Sequence, residues 1–298
     1  STQAKTLFPY TTLFRSCPRP RRQLHGLRDF PRCLPDHRIL EPLGSHFMKN
    51  TVDITLWCLH GAFGAASDWQ AFAHAMAKRG MQVRMVDLWR FLDCCPRSLA
   101  ATAQAINDEA STNQKTNIVV GYSMGGRIAL QSLLAKNHPW TAAIIVSAHP
   151  GLADPAEKSA RLQHDTTWSV RCLHDPWESL IEQWSSQGIL QTPPDVPCPT
   201  PLQRPALSMR RKEIARSFID WSLGAQENLW PRLAEITAPV LWISGDHDPK
   251  FTEIAHRASH FLPKVTQKTI AHSGHRVPWD QPTAFTNEVA SWILSVTK

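Results

Sequence analysis

The chain has 298 residues, 42% of them apolar and 19% charged, with a formal net charge of +7. That is enough for one large α/β domain or two small ones and to bury a real core, and the apolar content excludes global disorder. No run approaches the ~18 uninterrupted apolar residues of a membrane-spanning helix.

The charge is uneven. Residues 1–47 hold eight Lys/Arg against three acids, a net of +5, and the other 251 residues net only +2. A nucleic-acid role has no support in that balanced body. The first 47 residues also carry six prolines, no sustained periodicity and no signal-peptide pattern. The run Thr6 to Ser16 resembles translated adapter sequence. The expectation is that this segment lies outside the fold, that Met48 is the true start, and that deleting 1–47 leaves activity and thermal midpoint unchanged. The seven cysteines show no C-x-x-C pair or metal-ligand spacing. They read as reduced thiols of a cytoplasmic protein.

From Asp53 the pattern is regular. Asp53 to Leu59 predicts a strand ending at His60-Gly61. Asp68 to Arg79 predicts a helix closed by Gly80, and Gln82 to Asp87 a second strand. An Ala-rich helix follows over 98–111, then a strand over 117–121, a helix over 123–136 and a strand over 142–147. Between about 150 and 235 no strand is convincing. The period there is helical over 157–190 and 208–233, around a loop with six prolines at 191–205. Alternation resumes with a strand at 239–245, a helix near 251–261, a strand at 265–270 and a helix from Thr283 to about Val296. Short apolar strands separated by helices predict a mostly parallel, doubly wound sheet covered on both faces. The 150–235 stretch predicts an inserted helical cap within one domain spanning 48–298.

Gly121-Tyr-Ser-Met-Gly125 is G-x-S-x-G between a strand and a helix, the context of a nucleophile elbow. A serine there needs an imidazole, and the imidazole needs a carboxylate. Both follow in the chain order of an α/β-hydrolase fold: Gly245-Asp-His-Asp248 after one strand and Ser273-Gly-His275 after the next. The acid is Asp246 or Asp248, and Asp248 fits the superfamily's G-x-x-D turn. His272 competes with His275, and the Gly-His arrangement favours His275. The expected triad is Ser123, Asp248 and His275. The expected oxyanion donors are the N–H groups of Met124, at the helix start, and Ala62, in the loop after the first strand.

Several stretches resemble the 2-succinyl-6-hydroxy-2,4-cyclohexadiene-1-carboxylate synthases, menaquinone-pathway lyases on the α/β-hydrolase fold. Gly121 to Arg127 is similar to the family's elbow, Ser147 to Leu152 with Glu157 to Arg161 and Asp165-x-x-Trp168 to its entry into the cap. Gly245-x-x-Asp248-Pro-Lys-Phe251, Gly274-His275 and Leu59-His-Gly61 with Asp68-Trp69 are similar to its remaining loops. The resemblance implies a triad that acts as a base and eliminates pyruvate from 2-succinyl-5-enolpyruvyl-6-hydroxy-3-cyclohexene-1-carboxylate. It implies no metal or organic cofactor. A substrate with three carboxylates asks for fixed cations, for which Arg is suited. The implied substrate-binding residues are Tyr122, which could help at the oxyanion site, Arg127, Arg161, Trp184 and a third arginine at Arg210 or Arg211. One departure stands out. Asp87-Leu-Trp-Arg-Phe-Leu92 replaces the Asp-Leu-Pro-Gly-His-Gly of many relatives, next to the expected site. A serine esterase or thioesterase with the same triad is the alternative reading.

Overall fold

The computed structural model describes residues 53–93, 97–191, 196 and 204–297. The expectations about residues 1–47 and Met48 lie outside these residues, as does most of the 191–205 loop.

Six strands form one sheet in the order β2-β1-β3-β4-β5-β6, all parallel. They are β1 (Ile54–Leu59), β2 (Gln82–Val86), β3 (Thr116–Tyr122), β4 (Trp140–Val146), β5 (Val240–Gly245) and β6 (Val265–Ile270). Every residue of β1 and β5 is buried, whereas β2 and β6 at the sheet edges are half-exposed. Successive residues point to opposite faces. Leu56 and Cys58 join one core, with Ile118, Val120, Leu241 and Ile243. Trp57 and Leu59 join the other, with Val119, Ile145 and Trp242. Two buried faces explain the near-continuous apolar runs.

The first core is closed by α1 (Gln70–Ala77) and α10 (Pro282–Val296), which pack on each other. The second is closed by α2 (Leu99–Ser111), α3 (Met124–Leu133) and α8 (Pro249–Ser259). Between β4 and β5 lie α4 (Pro155–His174), α5 (Trp177–Ser185), the short α6 (Pro205–Ser208) and α7 (Arg211–Asp220). A last single-turn helix, α9 (Val277–Asp280), sits just after the β6 loop. Among the described residues no helix is long and apolar enough to cross a membrane, and no His/Cys/Asp/Glu group could hold a metal ion.

Three differences from the expected elements have local causes. The cap helix starts at Pro155, capped by Asp154, because proline fits the first helical turn and the Asp154 carboxylate accepts from the Ala156 N–H. It then breaks at Asp175-Pro176, where proline disfavours helix at the residue before it, so the expected 157–190 helix is two. The helix expected through Leu233 ends at Asp220. Beyond it the chain opens so that the Trp221 carbonyl and the Gln226 side chain face Arg127.

Candidate active site

Ser123 stands between β3 and α3 with φ 52° and ψ −109°, a left-handed conformation uncommon for a non-glycine residue. The glycines around it are required by crowding. A Cβ on Gly121 would lie 2.5 Å from the Gly125 carbonyl oxygen, and one on Gly125 2.4 Å from that of Leu59. The tight turn aims Ser123 at the carboxyl edge of the sheet, beside the loops after β1, β5 and β6.

His275 comes from the β6 loop. Its Nε2 lies 3.1 Å from Ser123 Oγ and its Nδ1 2.7 Å from Asp248 Oδ2. Both His275 and Asp248 are about 95% buried, at 4% and 5% exposure, so the pair is shielded from water. Asp248 is also the N-cap of α8, with Oδ1 accepting the Phe251 N–H. One carboxylate thus fastens the helix and orients the imidazole. Asp246 does something different: it accepts the N–H groups of His272 and Ser273 and holds the β6 loop. Asp280, at the end of α9, accepts the Gly274 N–H from the other side. His275 itself is flanked by Phe251 and Tyr122, with ring centroids at 4.5 and 5.6 Å.

The loop after β1 carries Ala62. The N–H of Ala62 has no partner among the described residues, and that of Met124 opens α3, where backbone donors have no helical acceptor. Both residues line the cavity above Ser123. The loop is supported by a residue that sequence reasoning left without a role. His60 is fully buried, donates from Nδ1 to the Gly61 carbonyl at 2.9 Å, and accepts the Leu88 N–H at Nε2 at 3.1 Å. Burial pushes its pKa below the ordinary histidine value, so the ring is a neutral strut. Trp89 adds a second tie, from its indole N–H to the Gly64 carbonyl at 2.8 Å, and stacks on Trp221 of the cap. The unusual 87–92 turn therefore supports the Ala62 loop and the cap, and none of its residues lines the Ser123 cavity. Only Gly61 and Gly64 after His60 and the apolar Leu88-Trp89 could have signalled this arrangement in the sequence.

The cavity holds about 770 Å³ including its mouth. Its apolar walls include Trp168, Trp184, Phe218 and Phe251. Trp184 also packs within a cluster, 4.7 Å from Phe63 and 5.0 Å from Trp168 between ring centroids. Its polar side has Arg127 and Arg161. Arg127 is buried and reaches into the cap, donating to Gln226 Oε1 at 2.9 Å and to the Trp221 carbonyl at 2.7 Å. Burial, then the neighbouring Arg161, presses its pKa down, with Asp165 opposing. An arginine keeps its charge under such pressure. Arg161 donates Nε to Asp165 at 2.8 Å, and Asp165 also accepts from Ser222.

Three expected binding residues sit elsewhere. Arg210 points to the turn after β2, pairing with Asp93 at 2.8 Å and Asp87 at 3.3 Å. Arg211 donates to the carbonyls of Cys172 and Asp175, because the C-terminus of α4 leaves carbonyls that attract a cation. Neither lines the cavity. Tyr122 is turned away from it as well. Its ring packs edge-on against Trp279 and under Gly61, in an adjoining chamber of about 510 Å³ with Arg204 and Arg276. Burial pushes the Tyr122 hydroxyl well above its ordinary pKa. The adjacency in Tyr122-Ser123 misleads, since neighbouring residues at the end of a strand face opposite sides of the turn.

A parallel sheet with an elbow serine after β3, and an acid and a histidine after β5 and β6, defines an α/β-hydrolase-fold protein. The chain belongs to the alpha/beta hydrolase family, which matches residues 58–289. Curated relatives carry the name expected from the sequence. The 2-succinyl-6-hydroxy-2,4-cyclohexadiene-1-carboxylate synthase of Pectobacterium atrosepticum is 28% identical over 253 residues, covering 82% of this chain and 95% of the relative. That of Yersinia pestis is 27% identical over 245 residues, covering 79% and 85%. Among solved structures, MenH from S. aureus superposes with a TM-score of 0.73 at 20% identity, over 84% of this chain and 96% of that one. An esterase from Exiguobacterium antarcticum superposes at 0.63, also at 20% identity, over 80% and 91%. Likenesses at that identity establish the fold.

Proposed function

We propose that this protein is a cytoplasmic lyase of menaquinone biosynthesis that eliminates pyruvate from 2-succinyl-5-enolpyruvyl-6-hydroxy-3-cyclohexene-1-carboxylate. The observation that carries the reading is the hydrogen-bonded chain Ser123–His275–Asp248 opening onto a cavity with two arginines on one side. Asp248 holds His275 with Nδ1–H donated to the carboxylate, which leaves Nε2 to take the Ser123 proton. Serine so activated removes an acidic ring proton. The C–H electron pair moves into the ring, the C–O bond to the enolpyruvyl group breaks, and the departing enolpyruvate takes a proton to become pyruvate. The N–H groups of Ala62 and Met124 stabilise the negative charge that develops on substrate oxygen. Arg127 and Arg161 hold substrate carboxylates, and Trp184 covers the ring. No resident cofactor takes part, and no nucleic acid or membrane partner is needed. The Ser123 chain is equally suited to an ester hydrolase, and the aromatic walls give that second reading its support.

Purified protein, wild type and Ser123→Ala, is assayed for pyruvate release through coupled lactate dehydrogenase, alongside p-nitrophenyl acetate and butyrate. Pyruvate release by the wild type that is lost in Ser123→Ala is the expected result. Ester turnover without enzyme-dependent pyruvate release refutes the lyase.

A further inference from the structure

His149 stands in the turn after β4 and has no part in the chemistry above. The turn is rigid. The Pro150 carbonyl accepts from both the Leu229 N–H at 2.9 Å and Gln226 Nε2 at 3.0 Å. A Cβ on Gly151, at φ +128°, would meet the Glu227 carbonyl oxygen at 2.5 Å. Inside this turn the Gly151 N–H donates to His149 Nδ1 at 2.9 Å. An Nδ1 that accepts carries no proton, so the neutral ring must carry its proton on Nε2.

The ring lines the same cavity as Ser123, His275, Arg127 and Arg161. Its Nε2 has no partner among the described residues. Two positions earlier Ser147 lines the cavity too, and its buried hydroxyl also lacks a partner among the described residues. The charged groups facing His149 are cations from three elements: Lys250 and Arg257 on α8, Arg127 on α3 and Arg161 on α4. Trp230 meets the ring edge-on at 6.3 Å and is itself covered by the Arg257 guanidinium. Burial and these cations hold the ring neutral, at a pKa of about 4. A neutral imidazole with a fixed tautomer is a directional donor that survives in a cationic chamber, where a protonated one would be repelled.

We propose that His149 is a substrate-binding residue whose Nε2–H donates to a carboxylate or enolate oxygen of the ligand above Ser123. This deepens the polycarboxylate reading and rests on it for the natural substrate, while the contact itself requires only a carboxylate-bearing ligand. Charge-assisted hydrogen bonds of this kind change affinity by roughly 10- to 100-fold.

The test separates a ligand contact from a loop fastener. His149→Asn keeps a side-chain oxygen able to accept the N–H two residues on, as Asx turns do, and removes the far Nε2–H. His149→Phe removes both. Phthalate is the probe, with neutral dimethyl phthalate as control, titrated by calorimetry into wild type and both variants. The expected result is that His149→Asn keeps the wild-type thermal midpoint within about 2 °C yet binds phthalate roughly 10- to 100-fold more weakly. Nitrogen-15 NMR of the wild type should show Nδ1 unprotonated and the Nε2–H signal moving on phthalate addition. Wild-type phthalate affinity in His149→Asn, or an Nε2–H signal unmoved by saturating phthalate, overturns the proposal. Absence of pyruvate release by the wild type would instead remove the lyase reading and leave this comparison standing.

Discussion

Arg127 carries two duties that one pair of variants can separate. Its guanidinium ties α3 to the cap through Gln226 Oε1 and the Trp221 carbonyl, and it also lines the cavity. Two of its five N–H donors face the cap, which leaves three for a substrate carboxylate. Arg127→Met fills a similar volume and strands both acceptors. Each buried unpaired acceptor costs about 1–3 kcal/mol, partly offset because a buried cation is also removed. A net loss of about 3 kcal/mol follows, or roughly 6–12 °C in Tm for a chain of this size. Gln226→Leu removes one of those two bonds and also the Gln226 Nε2 donor to the Pro150 carbonyl, which the Leu229 N–H still holds; it acts from a residue that does not line the cavity and should lower Tm by a similar amount. Activity should divide differently. Losing a buried hydrogen-bonded partner for a carboxylate costs about 3 kcal/mol, roughly 10²-fold in kcat/KM, and only Arg127→Met removes it. The assay is pyruvate release beside thermal unfolding of both variants and of Arg232→Met, a half-buried arginine paired with Glu235 away from the cavity. If Gln226→Leu loses as much kcat/KM as Arg127→Met, the arginine acts only as a clasp and the carboxylate reading of it is wrong.

Other consequences follow from single contacts. His60→Phe should strand the Leu88 N–H and the Gly61 carbonyl and let the Ala62 loop move, so kcat falls by roughly 10- to 100-fold with KM little changed; a raised KM at constant kcat would mean that the loop binds substrate instead. Acid should weaken the fold through His149. In the unfolded chain its ring takes a proton below about pH 6.5, in the folded protein only near 4. The unfolded state therefore binds more protons across that window, and stability falls as pH drops from 6.5 to 4, by up to about 3 kcal/mol. Urea unfolding at pH 7.5 and 4.5 should show a smaller acid loss in His149→Asn than in wild type, and parallel losses would refute the assignment. Phthalate at about 100 times its Kd should stabilise the wild type by about 2.7 kcal/mol, with no such effect from dimethyl phthalate. Equal shifts from both would mark the cavity as apolar in its preference.

The scaffold was readable because its strands are buried on both faces and bounded by glycine or polar turns. β1, β3, β4 and β5 follow directly from that composition. The residues Ser123, Asp248 and His275 stand at strand ends, where chain order and spacing carry the information, and the structure brings them within hydrogen-bonding distance. The cap was harder. Its helices are amphipathic everywhere, so period alone could not place the break at Pro176 or the open turn at Ser222–Gln226. Whether an arginine faces the cavity, the turn after β2 or the carbonyl end of α4 depends on tertiary packing, and so Arg210 and Arg211 could not be sorted from Arg161. The stretch holding His149 stood out only by resemblance, and Gln226 carried no signal, since their roles depend on a contact between the β4 turn and the far end of the cap.

That contact also explains how a loosely patterned cap can serve a defined site. The cap is fastened to the sheet at points that are themselves parts of the site. Arg127 holds Gln226, Gln226 holds the turn bearing His149, and Trp221 stacks on Trp89 beside the Ala62 loop. Arg127 and Arg161 line this cavity, Lys250 and Arg257 also face His149 from α8, and Asp165 is the counter-charge among the lining residues. A neutral ester entering would displace water from the guanidinium groups and return no compensating charge, a net loss in a low-dielectric space. A carboxylate entering neutralises the excess, and its attraction is strengthened by the same exclusion of water. On the proposed polycarboxylate reading, the fastening selects by charge as well as shape. It keeps the cations close enough to repel one another when the site is empty, and an anionic substrate relieves that repulsion as it binds.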